Sequence, residues 1–361
     1  MTTRWLDLIY APNGASPVSN ARRTGGFAMT GAARELRLAQ FERMLRMRRF
    51  EEMVIRLAQK HEYIGRQHLH IGHEATGSGV ALAMQPGDKI HTTHRNHGYV
   101  IACGADPGRA FAEILGRKDG LNGGKGGSWH LCDASVGMQS TSAMVGGSIA
   151  LATGAAYGLK LQGGKNISVA HFGDGTLDEG VCYEALNLAS VYELPVLFVC
   201  ENNSKAGQRP SSMLAAARLR DVPEALQIHS VIFDGADADA ARETFAQAAA
   251  RVRATGKPVF VECTLERWPG SHQVKAAFPT GVTDLSLAFD QGSISGPHAE
   301  WIKRFDPILR ATRAIVESGD ATVEELAAID ARVCKIMEDA RAFAEASPFP
   351  EPAAAFTGAF A

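Results

Sequence analysis

The alternation of apolar and polar stretches in the middle of the chain predicts a strand, a helix and a second strand in succession. Residues 167–172 form a mostly apolar run that includes Ser168 and His171, and residues 196–200 form a continuous apolar run. Between them, apolar side chains recur at helical spacing after an abrupt Gly173-Asp174-Gly175 turn. Because a helix joins the two strands, we expect the strands to be parallel and to end at the same edge of a sheet.

The flanking segments add helices that each have one apolar face. Apolar residues recur at helical spacing across residues 33–60, which predicts a long amphipathic helix, and residues 240–254 predict another. Residues 301–346 predict two helices with a break at residues 318–320, and Thr322 is the expected N-cap of the second.

Two shorter apolar runs and a glycine-rich run complete the pattern. Residues 88–91 and 258–265 predict strands, whereas the glycine-dense residues 116–137 predict a long loop near a ligand. Residues 141–157 begin a predicted helix of small side chains, which permits close contact with a neighbouring subunit. The alternation of strands and helices predicts an α/β fold with a mostly parallel sheet flanked by helices.

The distribution of polar residues and breakers predicts a single main domain. Residues 1–32 mix Pro, Gly, Ser and Asn without periodicity and predict an N-terminal arm, loosely ordered or packed on a partner. We expect residues 33–350, including the C-terminal helical tail, to form one domain, because no Pro/Ser-rich linker or charge run divides them. Residues 351–361 are a short terminal tail.

Composition narrows the class of protein. The chain has 361 residues, of which 45% are hydrophobic, and its formal net charge is −2. These values predict a large buried core and give no reason to expect nucleic acid or an anionic membrane as a partner. The six cysteines lack CxxC spacing, and no apolar run has the length of a membrane span or a signal peptide. We therefore expect a soluble, cytoplasmic protein with reduced cysteines.

A candidate metal site follows from the predicted strand ends. Asp174 follows the first strand of the crossover, and Asn203 closes the second, so the two side chains should meet. A carboxylate and an amide oxygen are hard ligands that suit Mg²⁺ or Ca²⁺. Because Mg²⁺ usually keeps phosphate oxygens as partners, a phosphate is implied. The glycines beside Asp174 and the N–H groups of the following helix would let the backbone approach that anion.

A second cluster of candidate ligands lies in Thr93-His94-Arg95-Asn96-His97. Arg95, His94 and His97 bring up to three positive or switchable groups together, which predicts a clamp for a diphosphate. A solvated basic loop would have the same composition, so the residues alone leave both interpretations open.

The GDG…NN pattern resembles the motif that binds thiamine diphosphate, and the wider chain resembles one family that uses it. This family is the alpha subunit of the decarboxylating first component of the 2-oxo acid dehydrogenase complexes, which includes pyruvate, branched-chain 2-oxo acid and acetoin dehydrogenases. The resemblance covers roughly residues 40–350 and rests on the following segments: RRFEE at 48–52, HLHIGHEA at 68–75, THRNHG at 93–98, GGKGGSWH at 123–130 and DPILRATRAIVESG at 306–319.

The resemblance implies thiamine diphosphate and Mg²⁺ as cofactors and assigns their ligands. The metal ligands implied are the side chains of Asp174 and Asn203 and the backbone carbonyl of Lys205. The residues implied to bind the organic cofactor are His94, Arg95, Asp174, Gly175, Thr176 and Asn203 at the diphosphate, and backbone groups near Ala143 and Val145 at the aminopyrimidine.

The resemblance also implies catalytic histidines. His68 aligns with a family histidine beside the thiazolium ring and the substrate carboxylate. The second family histidine lies in a loop that usually reads R-x-x-G-H-S, whereas this chain reads ERWPGSH. That histidine aligns with Ser271, unless His272 takes its place through a one-residue shift. Since the loop helps to receive a lipoyl arm in the family, the departure calls coupling to a lipoyl-bearing acyltransferase into question.

The family chemistry predicts an oxidoreductase that acts on a 2-oxo acid or acetoin and transfers an acyl group to a lipoyl group. The glutamate that activates the cofactor belongs to a separate beta chain in split members of the family, so we expect an alpha2-beta2 heterotetramer. Three alternatives remain: an acyloin-forming or acyl-transferring thiamine enzyme without lipoyl transfer, the N-terminal subunit of a split transketolase, and a binding subunit without catalysis.

Overall fold

The computed structural model describes residues 31–61, 65, 67–203, 218–269 and 283–358 of the chain. The strands within these residues are β1 (Lys89–Thr93), β2 (Met138–Ser142), β3 (Ser168–Gly173), β4 (Val196–Asn202), β5 (His229–Asp234) and β6 (Val259–Thr264). They form one parallel sheet in the order β2-β1-β3-β4-β6-β5. The predicted α/β fold with a mostly parallel sheet flanked by helices is confirmed.

Helices cover both faces of this sheet. The helices of the described residues are α1 (Gly31–Lys60), α2 (Glu74–Ala83), α3 (His97–Ala102), α4 (Pro107–Ile114), α5 (Gly147–Gln162), α6 (Gly180–Val191), α7 (Asp221–Ala225), α8 (Ala238–Thr255), α9 (Ala299–Arg304), α10 (Pro307–Glu317) and α11 (Val323–Ala346). Short 3-10 helices lie at Gly127–Trp129, Ala134–Val136, Asp174–Asp178, Leu285–Ala288 and Pro352–Phe356.

The side chains of the central strands alternate between two buried layers. Val169 of β3 and Val199 of β4 pack with residues of α1, α2 and α8, whereas Phe172 and Cys200 pack with residues of α5 and α6. Successive residues of a strand point to opposite faces, so burial on both faces requires a continuous apolar run. This requirement explains why the two strands were visible in the sequence.

The segment between β1 and α5 differs from the sequence prediction. Residues 141 and 142 end strand β2, and helix α5 begins only at Gly147. Gly146 precedes the helix with a positive φ of 85°, a conformation that interrupts a helix and suits glycine. Strand β2 lies at the edge of the sheet, and Met138 is its one fully buried residue, so it lacks the apolar run that identifies central strands.

The C-terminal helices also differ in number from the prediction. Residues 299–346 contain three helices, because Asp306 caps α10 and Pro307 occupies its first turn, where a preceding helix cannot continue. The predicted break at residues 318–320 and the predicted cap are confirmed. Thr322 Oγ1 accepts a hydrogen bond from the Glu325 N–H, and the Glu325 carboxylate accepts one from the Thr322 N–H.

The predicted N-terminal arm lies outside the described residues except for Gly31 and Ala32, which already belong to α1. Within the predicted terminal tail, Pro352–Phe356 forms a short 3-10 helix. The six cysteines are free thiols, as predicted. Among the helices that the structure describes, none combines the length and the apolarity needed to span a bilayer.

Buried ion pairs connect α1 to the rest of the domain. Arg48 is fully buried, and its guanidinium donates to Glu74 at the start of α2 (2.6 Å) and to Asp306 before α10 (2.9 Å). The Glu74 carboxylate also accepts a hydrogen bond from the Gly72 N–H. Arg48 therefore fixes the turn that precedes α2 as well as the position of α10.

We predict that Arg48→Met destabilises the chain by about 3–5 kcal/mol, because it leaves two buried carboxylates without their cation. Denaturant unfolding of the purified protein measures this change. The control is Arg56→Met on the same helix, because the Arg56–Glu338 pair is half exposed and should contribute about 0–1 kcal/mol. Equal losses for the two variants would contradict a special role for Arg48.

Candidate active site

A cleft opens where the order of the strands changes direction. β1 pairs with β2 on one side and with β3 on the other. The next strand in the chain after β1 is therefore added on one side of β1, and the strand after that is added on the opposite side. The segment after β1 continues into α3, on the face of α1, whereas the segment after β3 leads to α6 on the opposite face. The two connections diverge, and such a switch point is where open α/β sheets bind ligands.

The residues that line this cleft come from the carboxyl ends of β1, β3 and β4 and from two loops. The cavity has a volume of about 150 Å³. Asp174 and Asn203 both line it, and each is buried to about nine-tenths, so the predicted meeting of these side chains is observed. The full lining consists of Thr93, His94, Arg95, Ser142, Met144, Val145, His171, Gly173, Asp174, Gly175, Thr176, Glu201, Asn203 and Arg267.

The glycines beside Asp174 leave room for a ligand. A Cβ atom built on Gly173 or on Gly175 would have no neighbouring atom within 4 Å, although both residues line the cleft. A 3-10 helix, Asp174–Asp178, follows the strand directly, and α6 begins only at Gly180. The N–H groups nearest the cleft are therefore those of the 3-10 turn, not those of the α-helix that the sequence predicted.

Two buried arginines give the cleft positive charge. The Arg95 guanidinium is buried and donates a hydrogen bond to the Leu69 carbonyl, and burial lowers its pKa against the opposing effect of Glu201. Arg267 is also buried, and burial, together with the nearby charge of Arg95, lowers its pKa to about 10. Both side chains remain cationic at neutral pH, so the cleft suits an anionic ligand.

The histidines of the predicted clamp have different environments. His94 lines the cleft, but burial and the positive charge of Arg95 lower its pKa to about 4, so its imidazole is neutral at neutral pH. His97 is fully buried elsewhere, between Glu51 (2.9 Å) and Ser128 (2.8 Å). The hypothesis of a three-cation clamp is therefore wrong: Arg95 supplies charge, His94 supplies a neutral donor or acceptor, and His97 packs in the interior.

His68 lies beside the cleft through its contact with His94. The ring centroids of His68 and His94 are 4.5 Å apart, and that of Trp129 is 5.3 Å from His68. These edge-on contacts restrict the orientation of the His68 imidazole. Trp129 belongs to the glycine-rich segment, so this segment contacts His68 and His94 beside the cleft.

The remaining predicted residues divide into two groups. Val145 is half exposed and lines the cleft, and Ala143 lies between the lining residues Ser142 and Met144. Lys205 and His272 lie outside the residues that the structure describes, as does Ser271.

The sequence analysis missed three ionisable residues of the cleft: His171, Glu201 and Arg267. Arg267 belongs to the ERWPGSH segment. In that segment we expected a histidine as the functional residue, although the family pattern also begins with an arginine. Glu201 occupies a strand position on the same face as Leu197 and Val199, where an acidic residue is out of place. This acidic residue in an apolar strand was the sequence signal that could have identified Glu201 as part of the cleft.

Comparison with known proteins gives a consistent result. A sequence profile described as "Dehydrogenase E1 component" matches residues 42–274. The chain is 34% identical over 327 residues to the alpha subunit of acetoin:2,6-dichlorophenolindophenol oxidoreductase of Bacillus subtilis (strain 168), covering 90% of this chain and 94% of the relative. It is 33% identical to the protein with that name in Cupriavidus necator, covering 92% and 96%. It is 31% identical to the pyruvate dehydrogenase E1 component subunit alpha of Rhizobium meliloti (strain 1021), covering 89% and 88%.

A parallel sheet that is flanked by helices and has a cleft lined by two buried arginines at its switch point defines the class as α/β. The profile match and the extent of the pairwise similarity identify the family within that class: the chain belongs to the dehydrogenase E1 component family.

We predict that Arg267→Gln weakens the binding of inorganic diphosphate in the presence of Mg²⁺ by about 10- to 100-fold. A hydrogen bond to a charged group contributes roughly 1.5–3 kcal/mol, which corresponds to that loss. Isothermal titration calorimetry measures the affinity. Arg304→Gln is the matched control, because the Arg304 side chain is two-thirds exposed and lies away from the cleft lining. Unchanged affinity in Arg267→Gln would contradict the role given to this arginine.

Proposed function

We propose that this chain is the alpha subunit of a thiamine diphosphate-dependent dehydrogenase that acts on a 2-oxo acid or acetoin. One observation carries the proposal: the fold brings Asp174, Asn203 and two buried arginines to one cleft in a chain of the dehydrogenase E1 component family. The relatives are named for pyruvate and for acetoin, which are the substrates we propose to test first.

The donor set of the cleft fits Mg²⁺ and a diphosphate. Asp174 and Asn203 offer a carboxylate and an amide oxygen, and we propose the Lys205 carbonyl as a third ligand. Arg95 and Arg267 would neutralise the diphosphate, and Gly175 and Thr176 would offer backbone N–H groups to it. His94, which is neutral, would donate a hydrogen bond without adding charge.

Thiamine diphosphate, when bound, supplies the electron sink that cleavage of a bond next to a carbonyl group requires. The residues of this chain position the reactants and exclude water. We propose that His68, held by His94 and Trp129, orients the substrate carboxylate or moves a proton beside the cleft. His272 is proposed as a second such group. Backbone groups near Ala143 and Val145 would hold the aminopyrimidine.

An exposed apolar surface supports a beta subunit as partner. Large apolar side chains of α5 and α6 are about half exposed or more, and a cavity of about 420 Å³ lies between the two helices. A soluble monomer rarely exposes such a contiguous surface. The exposed side chains are Leu151, Tyr157 and Leu161 of α5, Leu188 and Val191 of α6, and the adjoining Tyr192. We propose that a beta chain covers this surface in a cytoplasmic alpha2-beta2 heterotetramer.

The acyl acceptor separates two candidate functions. We propose transfer to a lipoyl group of an acyltransferase, as in a dehydrogenase complex. The departure of ERWPGSH from the family loop pattern favours the second candidate, an acyloin-forming or acyl-transferring enzyme without lipoyl transfer. The family assignment gives no support to the split-transketolase alternative.

We predict that the chain alone has no oxidative activity, and that the chain reconstituted with a beta subunit reduces 2,6-dichlorophenolindophenol with pyruvate, a branched-chain 2-oxo acid or acetoin. Steady-state assays with this panel, with and without a lipoyl domain, identify the substrate and the acceptor. Full activity of the chain alone would contradict the need for a partner. Inactivity of the reconstituted pair on every member of the panel would contradict the proposed function.

We predict that Asp174→Ala weakens Mg²⁺-dependent binding of thiamine diphosphate by at least about 100-fold, because a buried charged ligand contributes several kcal/mol to a metal site. Calorimetry on the reconstituted assembly measures this affinity, and circular dichroism verifies the fold. Asp290→Ala, on the exposed segment after the 3-10 helix Leu285–Ala288, is the control. Unaltered affinity in Asp174→Ala would remove the residue from the metal site.

A further inference from the structure

The buried carboxylate of Glu201 is surrounded by three imidazoles beneath the cleft. Glu201 Oε2 lies 2.6 Å from His73 Nδ1 and 2.8 Å from His171 Nε2, and Oε1 lies 3.3 Å from His70 Nε2. The Tyr99 hydroxyl donates to the same Oε1 at 3.3 Å. The side chains of the four acid and imidazole groups are at most 2% exposed. We call His70, His73, His171 and Glu201 the histidine–glutamate cluster.

Three separate elements build this cluster. His70 and His73 lie in the turn before α2, and this turn is fixed by the Glu74–Arg48 ion pair. His171 and Glu201 lie on the neighbouring strands β3 and β4, on the face that packs against α1, α2 and α8. At these two positions the strands have an imidazole and a carboxylate, whereas the preceding positions on the same face, Val169 and Val199, are apolar.

Hydrogen bonds do not account for the composition of the cluster. The Glu201 carboxylate lies next to one nitrogen of each ring, and the second nitrogens, His70 Nδ1, His73 Nε2 and His171 Nδ1, are buried without a hydrogen-bond partner among the described residues. Neutral imidazole and ionised carboxylate are the protonation states that bind metals.

We propose that the histidine–glutamate cluster binds one divalent transition-metal ion, with Zn²⁺ as the ion that fits best. The metal-facing atoms of His70, His73 and Glu201 all lie within 4.8 Å of one another. Tetrahedral Zn²⁺ holds imidazole nitrogen and carboxylate oxygen at about 2.0–2.2 Å, so these atoms need to shift by less than about 1 Å to share an ion. The ion replaces the proton between His73 Nδ1 and Glu201 Oε2, and His70 completes a set of three protein ligands.

The ligand chemistry separates this site from the proposed Mg²⁺ site. Asp174 and Asn203 offer only oxygen atoms, whereas the histidine–glutamate cluster offers three imidazole nitrogens, which favour Zn²⁺ over Mg²⁺. Because His171 and Glu201 also line the cleft, an ion can enter from that side. The three protein ligands tie the turn before α2 to β4, and the fourth position of the tetrahedron is left for water. The ion thereby fixes the segment that carries His68.

The test measures metal binding to the full chain without thiamine diphosphate. The chain is incubated with Zn²⁺, passed through gel filtration, and analysed by elemental mass spectrometry. We expect one Zn²⁺ per chain in the unmodified protein and in Asp174→Ala, and at least a 100-fold loss of affinity in His73→Gln and in Glu201→Gln. His91→Gln is the matched control, because His91 is equally buried on β1 but lies outside the cluster.

A second measurement holds even if a cluster variant fails to fold. X-ray absorption of Zn²⁺ in the unmodified chain distinguishes a site with two or three imidazoles from an all-oxygen site. Failure of the unmodified chain to retain Zn²⁺, or a spectrum with oxygen ligands alone, overturns the proposal. Loss of the ion in Asp174→Ala or in His91→Gln with retention in His73→Gln overturns it as well. None of these results depends on the dehydrogenase activity, so the proposed function is tested separately.

Discussion

The parallel pairing of β3 with β4 determines where every group in the cleft lies. Gly173 is opposite Glu201 in the register, so the residues that follow the two strands emerge side by side. Asp174 and Asn203 reach the same cleft for this reason. A shift by one residue would turn Glu201 and Val199 to the opposite face and bury the wrong side chains on both sides of the sheet. The apolar layers on the two faces therefore also hold the cleft in register.

Several charged side chains of this protein are buried where the apolar layers exclude water. Arg48, Arg95 and Arg267 are all buried, and each acts on carboxylates or faces the cleft. Buried charges are costly without partners, and Arg48 meets this requirement through its ion pairs with Glu74 and Asp306. Removal of water strengthens the attraction of Arg95 and Arg267 for an anion, which agrees with a site for a diphosphate.

The histidines illustrate how environment decides chemical role. The structure gives different environments to His68, His94, His97 and the histidine–glutamate cluster. His94 is neutral at the surface of the cleft, and His97 links Glu51 to Ser128 in the interior. The sequence grouped His94, Arg95 and His97 because they are close in the chain. A helix that begins at His97 turns that side chain away from the cleft.

The sequence by itself determined the features that depend on local pattern. The apolar runs predicted β3 and β4, the single crossover between them predicted that Asp174 and Asn203 lie at one edge of the sheet, and the motifs predicted the family. The edge strand β2 and the division of α9 from α10 escaped prediction, because a short edge strand carries little apolar signal and a cap acts within one or two residues. The roles of His171, Glu201 and Arg267 were decided only by the tertiary structure. Their chemistry depends on burial and on neighbours that are distant in the chain, such as His70, which is 131 positions from Glu201, and no periodicity reports those contacts.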